Sequence, residues 1–176
     1  MTELYPIFVR ASRLRCVVIG GGAVAARKIR GLIETGARIK IVAPEINAEV
    51  RGMLLADAVD WYQRAASEDD VYNADLVFLA TDNPDLHERL EHAAQRKGAL
   101  VNRADSPDGG TFHVPAIARR GDIAVAVSTS GRSPTFARLL RDEIQSLLTD
   151  ERVEQLEVAA QARETARLSV LKDVSR

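Results

Sequence analysis

Cysteine is almost missing from this chain. Cys16 is the single thiol in 176 residues, which excludes an intramolecular disulfide framework and a cysteine-rich zinc site. Neither sign of charge is in excess: 24 basic and 25 acidic side chains leave a formal net charge of -1, so bulk nucleic-acid binding has no electrostatic support. No apolar run approaches the ~18–20 residues of a membrane span. The first residues lack a basic stretch followed by an apolar one, so no secretory signal is expected. Only three histidines occur, and no cluster has metal-ligand spacing, so no metal site is expected. Internal repeats and low-complexity segments are also missing. What is present is ordinary globular composition, 46% hydrophobic and 28% charged. The expectation is a soluble, cytoplasmic protein of one domain, or one domain with a small appendage.

Near-neutrality conceals an uneven distribution. Residues 1–44 carry eight basic and two acidic side chains, and residues 45–100 carry five basic and twelve acidic. Between Thr111 and Arg141 there are five arginines and one acid, Asp122. A neutral chain can therefore still present a local positive field.

Apolar periodicity sets out the elements. Arg15–Ile19 reads as a buried strand stopping at three glycines, followed by helical spacing over 23–35 that ends at Gly36. A second strand spans 39–43, a helix 46–55, and a short strand 59–62. The segment 75–80 is the clearest strand of the middle region. Asn83-Pro84 opens a helix to Lys97, and 100–102 is a further strand. This alternation predicts a parallel sheet with right-handed crossovers. After Asp105 the pattern changes. Residues 111–116 suit an extended segment and 122–128 a strand. Ser133-Pro134 opens a helix to about Leu148, and 151–171 forms a second, apolar-poor helix. His87 and His92, five apart on the third helix, are read as surface residues, and Cys16 as a small buried apolar residue.

Gly20-Gly-Gly22-Ala-Val-Ala25 fits G-x-G-x-x-A between a strand and a helix. Gly20 permits the turn, Gly22 lets backbone approach a pyrophosphate, and Ala25 allows close helix–strand packing. Ala23 and Val24 then present N–H groups at the positive end of a helix. The string therefore points to dinucleotide binding. An acid ending the second strand would hold ribose hydroxyls, and Glu45 follows Ala43-Pro44. No arginine follows immediately to welcome a 2′-phosphate, which favours NAD over NADP. A solvated place in the next helix is the alternative for Glu45. Thr81 and Asp82 end another parallel strand and face the same crevice.

The order of motifs resembles the precorrin-2 dehydrogenase and sirohydrochlorin ferrochelatase family, the N-terminal module of siroheme synthases. The resemblance is carried by Tyr5-Pro-Ile-Phe8, Val18-Ile-Gly-Gly-Gly22, Arg27-Lys28, Val42-Ala-Pro-Glu45, Ala80-Thr-Asp-Asn-Pro84 and Val101-Asn102. It continues through Asp105-Ser-Pro107, Phe112-His-Val-Pro115, Val125-Ala-Val-Ser128, Ser130-Gly-Arg-Ser-Pro134 and Ala137-Arg-Leu-Leu-Arg141. The last two strings are the distinctive ones, since many proteins share the glycine loop.

The resemblance implies an α/β chain: a Rossmann-type parallel sheet, a small α+β dimerisation domain and a helical tail. On this chain the divisions would fall at 1–112, 113–148 and 149–176. It implies NAD-dependent oxidation of precorrin-2, a polycarboxylate tetrapyrrole, to sirohydrochlorin by a homodimer whose active site is a cleft near the dimer interface. Some members also insert ferrous iron, and that activity stays open here. No methyltransferase segment is present, so a separate protein is expected to make precorrin-2. The family's key aspartate corresponds to Asp105, a carboxylate suited to taking the substrate's proton. Capping a turn with Ser106 and Pro107 is the alternative for it.

An eight-carboxylate substrate calls for positive charge, and arginine suits planar carboxylate recognition. Arg132 and Arg138 are candidates, with Ser128, Thr129 and Ser130 as hydroxyl and N–H donors. Solvated helix faces and plain turn positions are the alternatives. His113 departs from the family's usual aromatic or aliphatic residue and is a candidate ligand for substrate carboxylate or metal. A non-catalytic NAD(H)-sensing domain that regulates a partner is the competing function. It would have no use for an arginine-rich second module.

Overall fold

The computed structural model describes residues 4–106 and 108–174. Pro107 lies outside the described residues, as do the side chains beyond Ser169. The chain divides after Val114 into two compact units.

The first unit carries a five-stranded parallel sheet. Its strands are β1 (Arg15–Ile19), β2 (Arg38–Val42), β3 (Val59–Tyr62), β4 (Leu76–Leu79) and β5 (Leu100–Arg103), in the order β3-β2-β1-β4-β5. Helices α1 (Ala23–Ile33), α2 (Ala48–Met53) and α3 (Pro84–Gln95) make the crossovers. Successive side chains of a strand face opposite ways, and both faces of this sheet are buried. Cys16 and Val18 of β1 join Leu76 and Phe78 of β4 in a core with Ala25, Ile29 and Leu32 of α1. Val17, Ile19, Val77 and Leu79 join Leu90 and Ala94 of α3 on the other face. Near-continuous apolar strands are what such a doubly covered sheet requires. Burial pushes the Cys16 thiol up to about 11, helped by Asp75, so it packs as an inert apolar group.

Chain reversals follow local chemistry. Asn83 caps α3 by accepting the Leu86 N–H at 3.0 Å, with Pro84 at the first helical position. Two short 3-10 turns, Ala11–Arg13 and Glu68–Asp70, were not anticipated from the sequence.

The second unit holds β6 (Ala116–Arg120), β7 (Ile123–Val127), α4 (Pro134–Leu147) and α5 (Asp150–Val174). Its two strands form an antiparallel hairpin turning at Gly121, whose φ is +54°. The extended segment expected at 111–116 is instead a strand starting at Ala116. Its continuation through Arg119-Arg120 was masked by charge, because those two side chains are exposed and only Ala118 is buried. Gln145 of α4 binds the edge of β6, accepting the Arg119 N–H at 3.0 Å and donating to the Arg119 carbonyl at 2.9 Å. Helix α4 also leaves Phe136, Leu139 and Leu147 exposed. Among the described residues no helix is long and apolar enough to cross a membrane.

Candidate functional site

Three glycines join β1 to α1, and each meets a different constraint. Gly20 has a φ of +120° and donates its N–H to the Val42 carbonyl at 3.1 Å; a Cβ there would collide with the Ala80 carbonyl oxygen. At Gly21 a Cβ would strike the Glu45 carbonyl oxygen. Gly22 meets nothing within 4 Å, so it faces open space. It is also the N-cap of α1 and offers no side-chain cap, which leaves the first N–H groups of the helix for an anion.

That space is a cavity of about 520 Å³. Gly20, Gly22, Ala23, Val24, Pro44, Glu45, Thr81 and Asp82 all line it, joined by Gly21, Ala65, Ala66 and Leu86. It lies at the carboxyl ends of β1, β2 and β4, where parallel sheets bind ligands. A glycine cradle that a Cβ at position 22 would fill, an uncapped helix start and an acid at Glu45 together fit a dinucleotide.

Asp70 braces one wall. Its side chain is 1% exposed and accepts from Lys40 Nζ at 2.6 Å, from Arg64 Nη1 at 2.7 Å and Nη2 at 2.6 Å, and from the Ser67 N–H at 2.9 Å. Burial alone would raise this carboxyl. The hydrogen bonds from Arg64, Lys40 and Ser67 outweigh it and hold the group well below the usual carboxylate range. They pin the turn that carries Ala65 and Ala66. Asp70→Asn is expected to cost about 1–3 kcal/mol at neutral pH. The folded pKa is depressed, so the wild-type advantage is full above the ordinary carboxylate pKa of roughly 4 and drains away as pH falls below it. Thermal melts of both proteins from pH 7 to pH 3 check this; a constant gap would overturn it.

Asp105 does not line the cavity but connects to it through a residue the sequence reading put on the surface. His87 is fully buried, at 0% exposure, whereas His92 is exposed as expected. The correction has a simple cause. Positions 87, 90 and 94 form the inward stripe of α3, and His87 shares it with Leu90 and Ala94. That spacing was the available signal. His87 Nδ1 lies 2.7 Å from Asp105 Oδ1, and His87 Nε2 accepts the Thr81 N–H at 3.1 Å and lies 2.9 Å from Thr81 Oγ1.

Two further residues complete the setting and were also missed. Arg103 donates to Asp105 through Nη2 at 2.7 Å and Nε at 3.2 Å, and through Nη1 to Glu91 at 3.1 Å. Glu91 in turn accepts the Gly110 N–H at 2.9 Å. The Arg103 guanidinium first, and His87 after it, hold the Asp105 carboxyl well below the usual carboxylate range. Asp105 is therefore ionised at neutral pH, with its side chain 24% exposed. His113 is half-buried in the same unit.

The remaining candidates lie in the second unit. Thr129 Oγ1 accepts the Ser133 N–H and donates to the Ser133 carbonyl, both at 3.1 Å, so its hydroxyl is engaged in the turn. Ser128 Oγ accepts the Ser130 N–H at 3.1 Å, and Ser130 takes a φ of +51°. Arg132 and Arg138 are exposed, the latter reaching Thr135 Oγ1 at 3.3 Å.

Comparison with known proteins adds to this geometry. A family model described as "Putative NAD(P)-binding" matches residues 7–116. A second, "Sirohaem biosynthesis protein central", matches residues 120–147. The siroheme synthase of Nitrosococcus oceani is 37% identical over 146 residues, 83% of this chain and 31% of that one. The siroheme synthase of Nitrosomonas europaea is 36% identical over 166 residues, covering 94% and 35%. The chain thus spans about a third of the length of these curated relatives. Among solved structures, "SirC, precorrin-2 dehydrogenase" superposes with a TM-score of 0.77 at 25% identity, covering 91% of this chain and 79% of that one. With the first model spanning well over half of its residues, the chain belongs to this NAD(P)-binding family.

Proposed function

We propose that this chain oxidises precorrin-2 to sirohydrochlorin with NAD, as a cytoplasmic homodimer. The observation that carries the reading is one continuous hydrogen-bonded chain. It runs from Thr81 in the glycine-loop cavity, through His87, to the ionised carboxylate of Asp105. A domain that only sensed a dinucleotide would need the cavity but not a charged carboxylate tied to its wall.

Ala23 and Val24 would meet the pyrophosphate with their N–H groups, Gly22 would leave it room, and Glu45 would take ribose hydroxyls. NAD, when bound, supplies the hydride acceptor. Loss of a hydride to that acceptor would leave positive charge on the substrate, with a proton still to depart. Asp105, held ionised by Arg103 and His87, would stabilise that charge and then receive the proton. The exposed Arg132 and Arg138, with Ser128, Thr129 and Ser130, would bind substrate carboxylates, and His113 would assist them. Exposed Phe136, Leu139 and Leu147 on α4 support a second copy as the partner that covers them. Whether ferrous iron is inserted afterwards is a separate arm of the same assay.

The test is direct. Purified protein supplied with precorrin-2 and NAD is expected to produce the absorption spectrum of sirohydrochlorin together with that of NADH. Folded protein that binds NAD and yields neither would favour the sensing role and overturn this reading.

A further inference from the structure

His87 exchanges no proton in the chemistry proposed above, yet among the described residues of the first unit it is the most enclosed polar side chain. Its two nitrogens face different tasks. A backbone N–H can only donate, so Nε2, which receives the Thr81 N–H at 3.1 Å, must present a lone pair. Thr81 Oγ1 accepts the Asn83 N–H at 3.3 Å, which leaves its own proton free for the same Nε2 at 2.9 Å. The ring proton therefore sits on Nδ1 and is aimed at Asp105 Oδ1, 2.7 Å away.

Arg103 alone would not fix the carboxylate. The guanidinium sits at the end of a long, flexible side chain only two residues before Asp105, where β5 gives way to the loop, and the two side chains could swing together. Glu91 ties the far end of Arg103, and Glu91 and His87 are four residues apart on α3, on one face. One helix thus holds the carboxylate twice, at Oδ1 through a short rigid ring and through Arg103 by way of Glu91. The ring also joins that orientation to Thr81 in the cavity wall.

We infer that His87 is the positioning residue of this site. Its Nδ1–H sets the Asp105 carboxylate, and its Nε2 fixes that setting relative to the dinucleotide cavity. The inference rests on the reading of Asp105 as the working carboxylate. Misplacement of a reacting group by about 1 Å can cost on the order of 100-fold in rate, so the ring would matter without touching substrate.

Two substitutions separate the two nitrogens. His87→Asn places an amide N–H near the position of Nδ1 and keeps the donor to Asp105. His87→Gln reaches the position of Nε2, keeps an acceptor for Thr81 and loses that donor. Steady-state turnover of precorrin-2 is expected to fall by roughly 100-fold in kcat for His87→Gln. The KM for NAD should stay within about threefold, and His87→Asn should retain most of kcat, since its donor to Asp105 survives. Equal losses in both variants, or full activity in His87→Gln, overturn the inference. Nitrogen-15 spectra of the histidine rings in the wild-type protein give a second readout that needs neither activity nor a stable variant. A protonated Nδ1 with a bare Nε2 is expected at His87, and the opposite tautomer overturns the inference. If the wild-type protein fails to turn over while the ring shows the expected tautomer, it is the proposed reaction that falls and not the positioning role.

Discussion

Asp105→Asn is expected to lower turnover of precorrin-2 by about 10²–10⁴-fold, the range spanned by removal of a positioned acid–base group, with NAD affinity held within about threefold. The substitution conserves volume and removes the charge. The introduced amide would still offer an oxygen to His87 Nδ1. Its NH₂ group would then oppose an Arg103 donor where Oδ2 now accepts at 2.7 Å. Arg103 would keep Glu91 and the longer Nε contact to Oδ1 but lose its 2.7 Å bond, so some loss of stability is expected as well. The connections to the cavity explain why NAD binding survives: Asp105 is absent from its lining and reaches it only through His87 and Thr81. The pH dependence carries a sign. Because the folded pKa of Asp105 is depressed, its charge is complete throughout the neutral range and is lost only when pH falls well below the ordinary carboxylate value of roughly 4. The wild-type rate should therefore show no acid limb from this residue between about pH 5 and 8. Unchanged turnover in the variant removes Asp105 from the mechanism.

Gly20→Ala and Gly22→Ala are expected to fail in different ways. At position 20 a methyl group meets the Ala80 carbonyl on a backbone whose φ of +120° already suits glycine alone. A cost on the order of 3 kcal/mol is expected from the strain and the collision together, with dinucleotide binding lost alongside stability. Position 22 has an ordinary φ of -87° and nothing within 4 Å, so the protein should fold normally. Its methyl group would project into the cavity that Gly22 lines, where backbone must approach the pyrophosphate. A loss of at least about tenfold in NAD affinity, equal to ~1.4 kcal/mol, is expected with only the small drop in melting temperature that a poorer N-cap residue brings, well below that of Gly20→Ala. Calorimetric titration and thermal melts of the pair check both halves. Wild-type NAD affinity in Gly22→Ala would remove the glycine loop from the binding site.

Much of this arrangement is legible in the sequence, and the reason is locality. The glycine loop, the acid after β2 and the Thr81-Asp82 pair each lie at the end of a strand. A parallel sheet brings strand ends together whatever their separation in sequence, so these residues converge on one cavity. The β-α alternation is equally local, read from apolar runs and helical stripes. The Asp105 network is not legible, because the contacts that tie β5 and its following loop to α3 join residues 12 to 19 positions apart, and their meeting depends on how that loop folds back. His87 was a misreading of a different kind. Residue type argued for the surface, while position on the helix argued for the interior. Strand β6 escaped notice because arginines at its end hid a pattern completed by pairing with β7.

The floor of the cavity is backbone. Gly20 is bonded to Val42, the Gly21 carbonyl accepts the Asn47 N–H at 2.9 Å, and Ala80 is bonded to Ile19 at 2.8 Å. Such a surface has no rotamers to surrender when a ligand arrives, whereas each immobilised long side chain costs about 0.5–1.5 kcal/mol. Association at the glycine end should thus carry little ordering entropy. On the proposed reading, the variable part of cofactor affinity would then fall to side chains such as Glu45, and that wall would be the place to alter preference between related dinucleotides without disturbing the fold.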